Sequence, residues 1–69
     1  MIEVFKTNIR DDAEAKSLVN LVMQHFPGRR VNVDMHDCDK VLRIEGCDFL
    51  PSNVMTLVNE SGIVCSLLE

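Results

Sequence analysis

The sequence contains no tryptophan and no tyrosine, and it has only three phenylalanines among 69 residues. With so few aromatic rings, stacking on nucleic-acid bases or on sugars is not expected. Basic residues are also scarce, since seven Lys and Arg stand against eleven Asp and Glu, for a net charge of −4. A chain of this charge is not expected to bind the phosphate backbone of a nucleic acid.

Long apolar runs are missing as well. No run exceeds three residues, so no membrane-spanning segment is expected. The charged residues Glu3, Lys6 and Arg10 interrupt any signal-peptide core. Three cysteines are an odd number and form no disulfide framework, which agrees with a reducing compartment. We therefore expect a cytoplasmic protein with a single domain, residues 1–69, because this length supports one small core.

Hydrophobic periodicity predicts six elements in the order βαββαβ. Residues 2–7 are rich in β-branched and aromatic side chains, with Ile2 and Val4 on one face. Residues 11–26 predict a helix that Asp11 and Glu14 cap and that Pro27-Gly28 ends. A second helix begins at Pro51 and ends at Gly62, and residues 63–67 predict a last strand.

The segment between the helices predicts a β-hairpin. Val31, Val33 and Met35 alternate with polar residues, as do Leu42 and Ile44. Pairing Met35 with Leu42, Val33 with Ile44 and Asp34 with Arg43 sends the large apolar groups to one face and closes a turn over Asp37-Cys38-Asp39-Lys40.

This order of elements predicts an α+β, ferredoxin-like βαββαβ sandwich. Its four-stranded antiparallel sheet would have the strand order 4-1-3-2, with two helices on one face. On the uncovered face we expect Phe5, Val41 and Val64, an apolar set that would permit a homodimer.

Several segments resemble the heavy-metal-associated, copper-chaperone-like family. Phe26-Pro27-Gly28 is similar to the Leu-Pro-Gly that closes the first helix there. Residues 31–34 and 41–46 resemble the family's second and third strands, and residues 59–62 resemble the end of its second helix. The resemblance implies the same ferredoxin-like fold over nearly the whole chain.

The family's metal motif, Gly-Met-x-Cys-x-x-Cys, is missing. Counting back from Pro27-Gly28 places its two thiols on Asp12 and Ala15, and no cysteine precedes Cys38. No metal-ligand role transfers, and no cofactor is expected. The alternative is a metal-binding protein with a non-standard or intermolecular Cys/His site, for which His36 and Cys38 are the weak candidates.

Catalysis is not expected either. His36 and Cys38 stand at a hairpin tip with nothing to orient the base, and the chain has no glycine-rich phosphate loop. A third class, a regulatory domain that binds a small molecule between two protomers, stays open because a sequence cannot show such a pocket.

The acids suggest one interaction surface. In the ferredoxin-like arrangement five of them share the end of the sandwich where the resembled family holds its metal loop: Asp11, Asp12, Asp37, Asp39 and Glu60. Helix capping, turn formation and solubility explain acids at such positions. The functional alternative is a docking surface for a basic protein. The sequence thus predicts a non-catalytic binding module whose partner is a basic protein or a second copy of the chain.

Overall fold

The computed structural model describes residues 2–46 and 49–68, which form a four-stranded antiparallel sheet and two helices. The elements are β1 (Ile2–Thr7), α1 (Asp12–His25), β2 (Arg30–Asp34), β3 (Val41–Glu45), α2 (Pro51–Glu60) and β4 (Cys65–Leu67). The strands follow the order β2-β3-β1-β4 across the sheet, which read from the other edge is β4-β1-β3-β2. The protein is therefore an α+β structure, and β2 and β4 are its two edge strands.

Local sequence explains where α1 begins and ends. The Asp11 carboxylate accepts a hydrogen bond from the Glu14 amide at 2.8 Å, so the first turn has a side-chain cap. At the other end the Phe26 amide still donates to the Val22 carbonyl, and Gly28 then takes a φ of 84°. That left-handed conformation suits glycine and turns the chain toward β2. These bounds confirm the helix that the sequence predicts.

One hydrophobic core joins both helices to a single face of the sheet. Within residues 2–46 and 49–68 it contains twelve buried apolar residues: Phe5, Ile9, Ala15, Leu18, Val22, Leu42, Ile44, Phe49, Val54, Val58, Ile63 and Cys65. Leu18 and Val22 contribute the buried stripe of α1, and Val54 and Val58 that of α2. Each helix therefore buries one apolar stripe, whereas Met23 of α1 is 47% exposed.

The predicted facing of β1 is wrong. Phe5 is fully buried, whereas Ile2 is 51% exposed and Val4 only half-buried. Alternation along a strand allows either set to face inward, and the bulky ring of Phe5 takes the central place under the helices. The open face therefore carries Ile2 and Val4, together with the half-buried Val41, and Phe5 is excluded from any surface.

The predicted hairpin register is also wrong, by two residues. Val33 pairs with Leu42, Val31 with Ile44, and Asp34 with Val41 rather than with Arg43. Because the shift is even, every side chain keeps its predicted face. Met35 lies beyond the end of β2, in a loop of residues 35–40 that is longer than the predicted turn.

The outer edge of β4 is partly covered. The Cys65 amide donates to the Asn59 side-chain oxygen at 3.0 Å, and Asn59 belongs to the last turn of α2. On the inner side the Val64 amide donates to the Asn8 side chain at 2.9 Å, which continues the ladder beyond the three-residue strand. β4 begins at Cys65, two residues later than predicted.

Neither helix of the described residues has the length and the apolar character that are needed to cross a membrane.

Candidate functional site at the acidic end of the sheet

The loop of residues 35–40 is tied to the end of β1. The Thr7 amide donates to the Asp39 carbonyl at 3.0 Å, and the Thr7 hydroxyl donates to the Lys40 carbonyl at 2.6 Å. Thr7 is itself buried, with 8% of its surface exposed. A buried threonine therefore holds the loop against the sheet, and the loop does not project freely.

Two aspartates shape the loop from within. The Asp34 carboxylate accepts from the His36 amide at 3.0 Å, and the Asp37 carboxylate accepts from the Asp39 amide at 2.9 Å. These side-chain-to-backbone bonds are Asx turns, which favour a tight chain reversal. Lys40 completes the loop in a left-handed conformation, with φ of 45°. Two successive turns make the loop longer than a four-residue turn, which explains the shifted register.

The loop brings together Asp37, Cys38 and Asp39, with one ligand-type atom of each within 4.8 Å of the others. His36 does not belong to this group, so the structure does not bring the predicted pair of His36 and Cys38 together with the two aspartates. The donor set is mixed, because carboxylates prefer hard cations and a thiolate prefers soft ones. One Asp37 oxygen already serves the Asx turn. The arrangement is therefore a cluster of negative charge rather than a defined site for one metal.

The start of α1 contributes Asp11 and Asp12 to the same end. Asp11 is occupied as the helix cap, and Asp12 is exposed. The neighbouring Glu14 accepts from the Arg10 amide at 2.9 Å and forms an ion pair with the Arg10 guanidinium at 3.1 Å. Arg10 therefore places a positive charge beside the acids, which the sequence-based surface did not include.

Lys40 is a second cation at this end. Its ammonium group donates to the Met35 carbonyl at 2.9 Å, so the side chain folds back over the loop. Of the predicted acids, Asp12, Asp37, Asp39 and Glu60 neither cap a helix nor pair with a cation among the described residues. Asp12 and Glu60 are exposed, whereas Asp39 is half-buried.

Glu60 ends α2 and is exposed. It lies near a shallow groove of about 440 Å³ between α1 and the turn after α2, which Arg10, Glu14, Leu18 and Ile63 help to line. Within the described ranges 2–46 and 49–68, Glu60, Asp11 and Asp12 join no close group of acidic, cysteine or histidine side chains. The five predicted acids therefore share one end of the fold, but only Asp37 and Asp39 form a cluster.

The two described thiols, those of Cys38 and Cys65, do not converge. Cys38 is exposed in the loop, whereas Cys65 is buried in the core at 6% exposure. Burial raises the pKa of Cys65 to about 11, so the group is a neutral thiol at pH 7 and a poor ligand or nucleophile. Cys47 lies outside the described residues.

Comparisons with known proteins leave the family open. A scan against protein-family models found no match, and neither the curated proteins nor the solved structures gave one.

Proposed function

We propose that this chain is a non-catalytic binding module that docks a basic protein partner at its acidic end. The fold would be ferredoxin-like and similar to a heavy-metal-associated domain without the Cys-x-x-Cys site. The observation that carries the proposal is the anchored loop, where Thr7 holds the backbone that displays Asp37 and Asp39.

An anchored loop favours recognition over a purely solubilising role. Ordering a mobile segment costs free energy during binding, and a loop already held by hydrogen bonds avoids much of that cost. The carboxylates of Asp37 and Asp39 are close together and only one of their oxygens is engaged in the internal turn. Such a charge cluster attracts a cationic partner and accelerates its approach.

The rest of the chain is consistent with this proposal. Cys65 is protonated in the core, and no cysteine stands in the first loop where the resembled family holds its metal. The proposed setting is the cytoplasm, since three cysteines form no disulfide framework.

The test removes charge without removing the loop's hydrogen bonds. Asp37→Asn with Asp39→Asn keeps a carbonyl oxygen at position 37 to accept the amide of residue 39. A partner captured with the wild type should associate more slowly with this double variant at low ionic strength, while thermal unfolding stays unchanged. The matched control is Glu3→Gln with Glu45→Gln, which removes the same charge at the opposite end of β1 and β3.

Two results would contradict the proposal. Equal association rates in both double variants would show that the acidic end makes no specific contact. Stoichiometric metal uptake in competition with a chelator, abolished by Cys38→Ser, would support the alternative of a non-standard metal site built on the loop.

A further inference from the structure

In the part of the chain that the structure describes, β2 lies at the edge of the sheet and pairs on one side only, with β3. An edge strand presents unpaired backbone groups that can pair with another strand. β2 contains no proline and no bulge, and its five residues are all paired in regular register with β3. The free edge of β2 is therefore regular over the whole length of the strand.

The hydrogen bonds of β1 show which backbone groups face which neighbour. The Leu68 amide donates to the Val4 carbonyl, so the polar groups of Val4 point toward β4. Along an antiparallel strand this direction alternates from residue to residue. The backbone of Phe5 therefore points the other way, toward β3, where its register partner is Leu42.

The same alternation continues to the edge. Leu42 exchanges hydrogen bonds with β1, so Arg43 must face β2, and its register partner Asn32 faces β3 in return. On either side of Asn32, the N–H and C=O groups of Val31 and Val33 then point outward. The free edge of β2 thus offers two N–H donors and two C=O acceptors, one of each from Val31 and from Val33.

The sequence of β2 is complementary to itself when two copies run antiparallel. It reads Arg30-Val31-Asn32-Val33-Asp34, with a cation at one end, an anion at the other and two valines around a central asparagine. When a second copy of β2 is centred on Asn32, Arg30 of one copy lies opposite Asp34 of the other, Val31 lies opposite Val33, and the two Asn32 residues face each other.

We propose that two copies of this chain associate through β2, antiparallel and centred on Asn32, to form a continuous eight-stranded sheet. Val31 of one copy exchanges both backbone hydrogen bonds with Val33 of the other, and the symmetric pair does the same, which gives four inter-chain bonds. The two-fold axis passes between the Asn32 residues, as a closed dimer requires.

Each face of this junction has suitable chemistry. On the helix side Val31 and Val33 are half-buried and border a groove of about 450 Å³ between β2 and α1, which Ala15, Val19 and Met35 also line. A neighbouring β2 would bring two further valines to the rim of that groove. The apolar area that one copy leaves half-exposed is thereby covered.

On the open face the charged ends meet. Arg30 and Asp34 are exposed, and opposed residues in pairs that share no backbone hydrogen bonds hold their side chains closest. Asp34 uses one oxygen for the His36 amide and keeps the other for a partner. Glu45 lies opposite Arg30 within the same chain, so Arg30 would stand between two carboxylates, one from each copy.

Other registers lose this complementarity. A shift of two residues centres the pairing on Val31 or Val33 and places Arg30 or Asp34 opposite Asn32, so no ion pair forms. A shift of one residue opposes side chains from different faces, which a two-fold axis perpendicular to the sheet does not permit. Charge and symmetry therefore select one register.

The test exploits the two charges. Arg30→Asp alone, or Asp34→Arg alone, replaces both attractive pairs with repulsive ones and should weaken self-association about tenfold or more. An equimolar mixture of the two single variants restores opposite charges only between unlike chains. It should therefore form heterodimers, which native mass spectrometry separates from homodimers by mass.

The wild type should sediment at twice its 7.8 kDa mass over a concentration series, and amide exchange should slow at Val31 and Val33 as concentration rises. Lys6→Asp changes a charge on the central strand β1 and should leave the dimer intact. Each single variant must keep its circular dichroism spectrum, and the mixing experiment itself shows that both are folded.

A wild type that stays monomeric throughout the series would overturn the proposal. A dimer that survives both single variants, or that the mixture fails to restore, would place the contact elsewhere. Pairing of β2 with an extended peptide instead of a second copy would appear as a monomer whose Val31 and Val33 amides become protected only when the peptide is added.

Discussion

Replacing Phe5 with alanine tests which face of β1 supports the core. Phe5 is fully buried among core residues from both helices and the sheet, and Phe→Ala at such a site costs about 3–5 kcal/mol. A core of this size supplies about 3–5 kcal/mol of net stability. The substitution should therefore bring the folded and unfolded populations of the domain close to equal.

Ile2→Ala is the matched control on the opposite face of the same strand. Ile2 is 51% exposed, so its truncation should cost less than about 1 kcal/mol. Far-UV circular dichroism during urea unfolding is the appropriate assay, because the chain has no tryptophan or tyrosine for fluorescence. Titration with an osmolyte such as trimethylamine N-oxide should recover the folded signal of the Phe5 variant.

A milder substitution keeps the comparison quantitative. Phe5→Leu retains a large aliphatic group and should lower the free energy of unfolding by about 1–2 kcal/mol. If Ile2→Ala were more destabilising than Phe5→Leu, then Ile2 rather than Phe5 would face the helices. Such a result would contradict both the register of β1 and the assignment of its open face.

Three further predictions concern the single residues Asp11, Thr7 and Cys65. Asp11→Ala removes the α1 cap and should cost about 0.5–2 kcal/mol in urea unfolding, whereas Asp12→Ala, which removes an exposed acid, should cost clearly less. Thr7→Val removes the hydroxyl that holds the loop and should cost about 1 kcal/mol while accelerating hydrogen exchange at residues 36–39; unchanged exchange would mean that the loop is held by other contacts. Burial raises the pKa of Cys65 from 9.0 to about 11. As the pH rises, the unfolded chain therefore loses this proton before the folded chain does. The free energy of unfolding should fall by about 2 kcal/mol between pH 9 and 11. Cys65→Ala should remove that pH dependence, and at neutral pH a thiol reagent should label Cys38 well before Cys65.

The sequence predicted the elements well because their signals are local. Asp11, Pro27 and Gly28 mark the ends of α1 through chemistry that acts within a few residues. The apolar spacing of Leu18 and Val22 reports one helix face in the same way.

Tertiary choices were harder to predict. Alternation in β1 is equally strong for both faces, and only the space beneath the helices decides that Phe5 points inward. The longer loop behind the shifted register is also held by Thr7, which lies far along the chain from it. No pattern within residues 31–44 could reveal that contact.

The acidic site was partly predictable for the same reason. Its location followed from the order of elements, and Asp37 and Asp39 followed from turn composition. The presence of Arg10 and Lys40 at this end did not follow from composition, because the position of each side chain depends on the three-dimensional contacts it makes with Glu14 and with the Met35 carbonyl.

The contact between Asn59 and Cys65 limits how far this sheet can grow. Of the outward amides of β4, it occupies that of Cys65 and leaves that of Leu67, which is too short a ladder to template another strand. A sheet with two open edges can polymerise into a fibre, whereas one with a single open edge stops after one addition. In the proposed β2 dimer the Asn59 side chain should therefore keep a further copy from adding at β4, which would limit edge-to-edge aggregation.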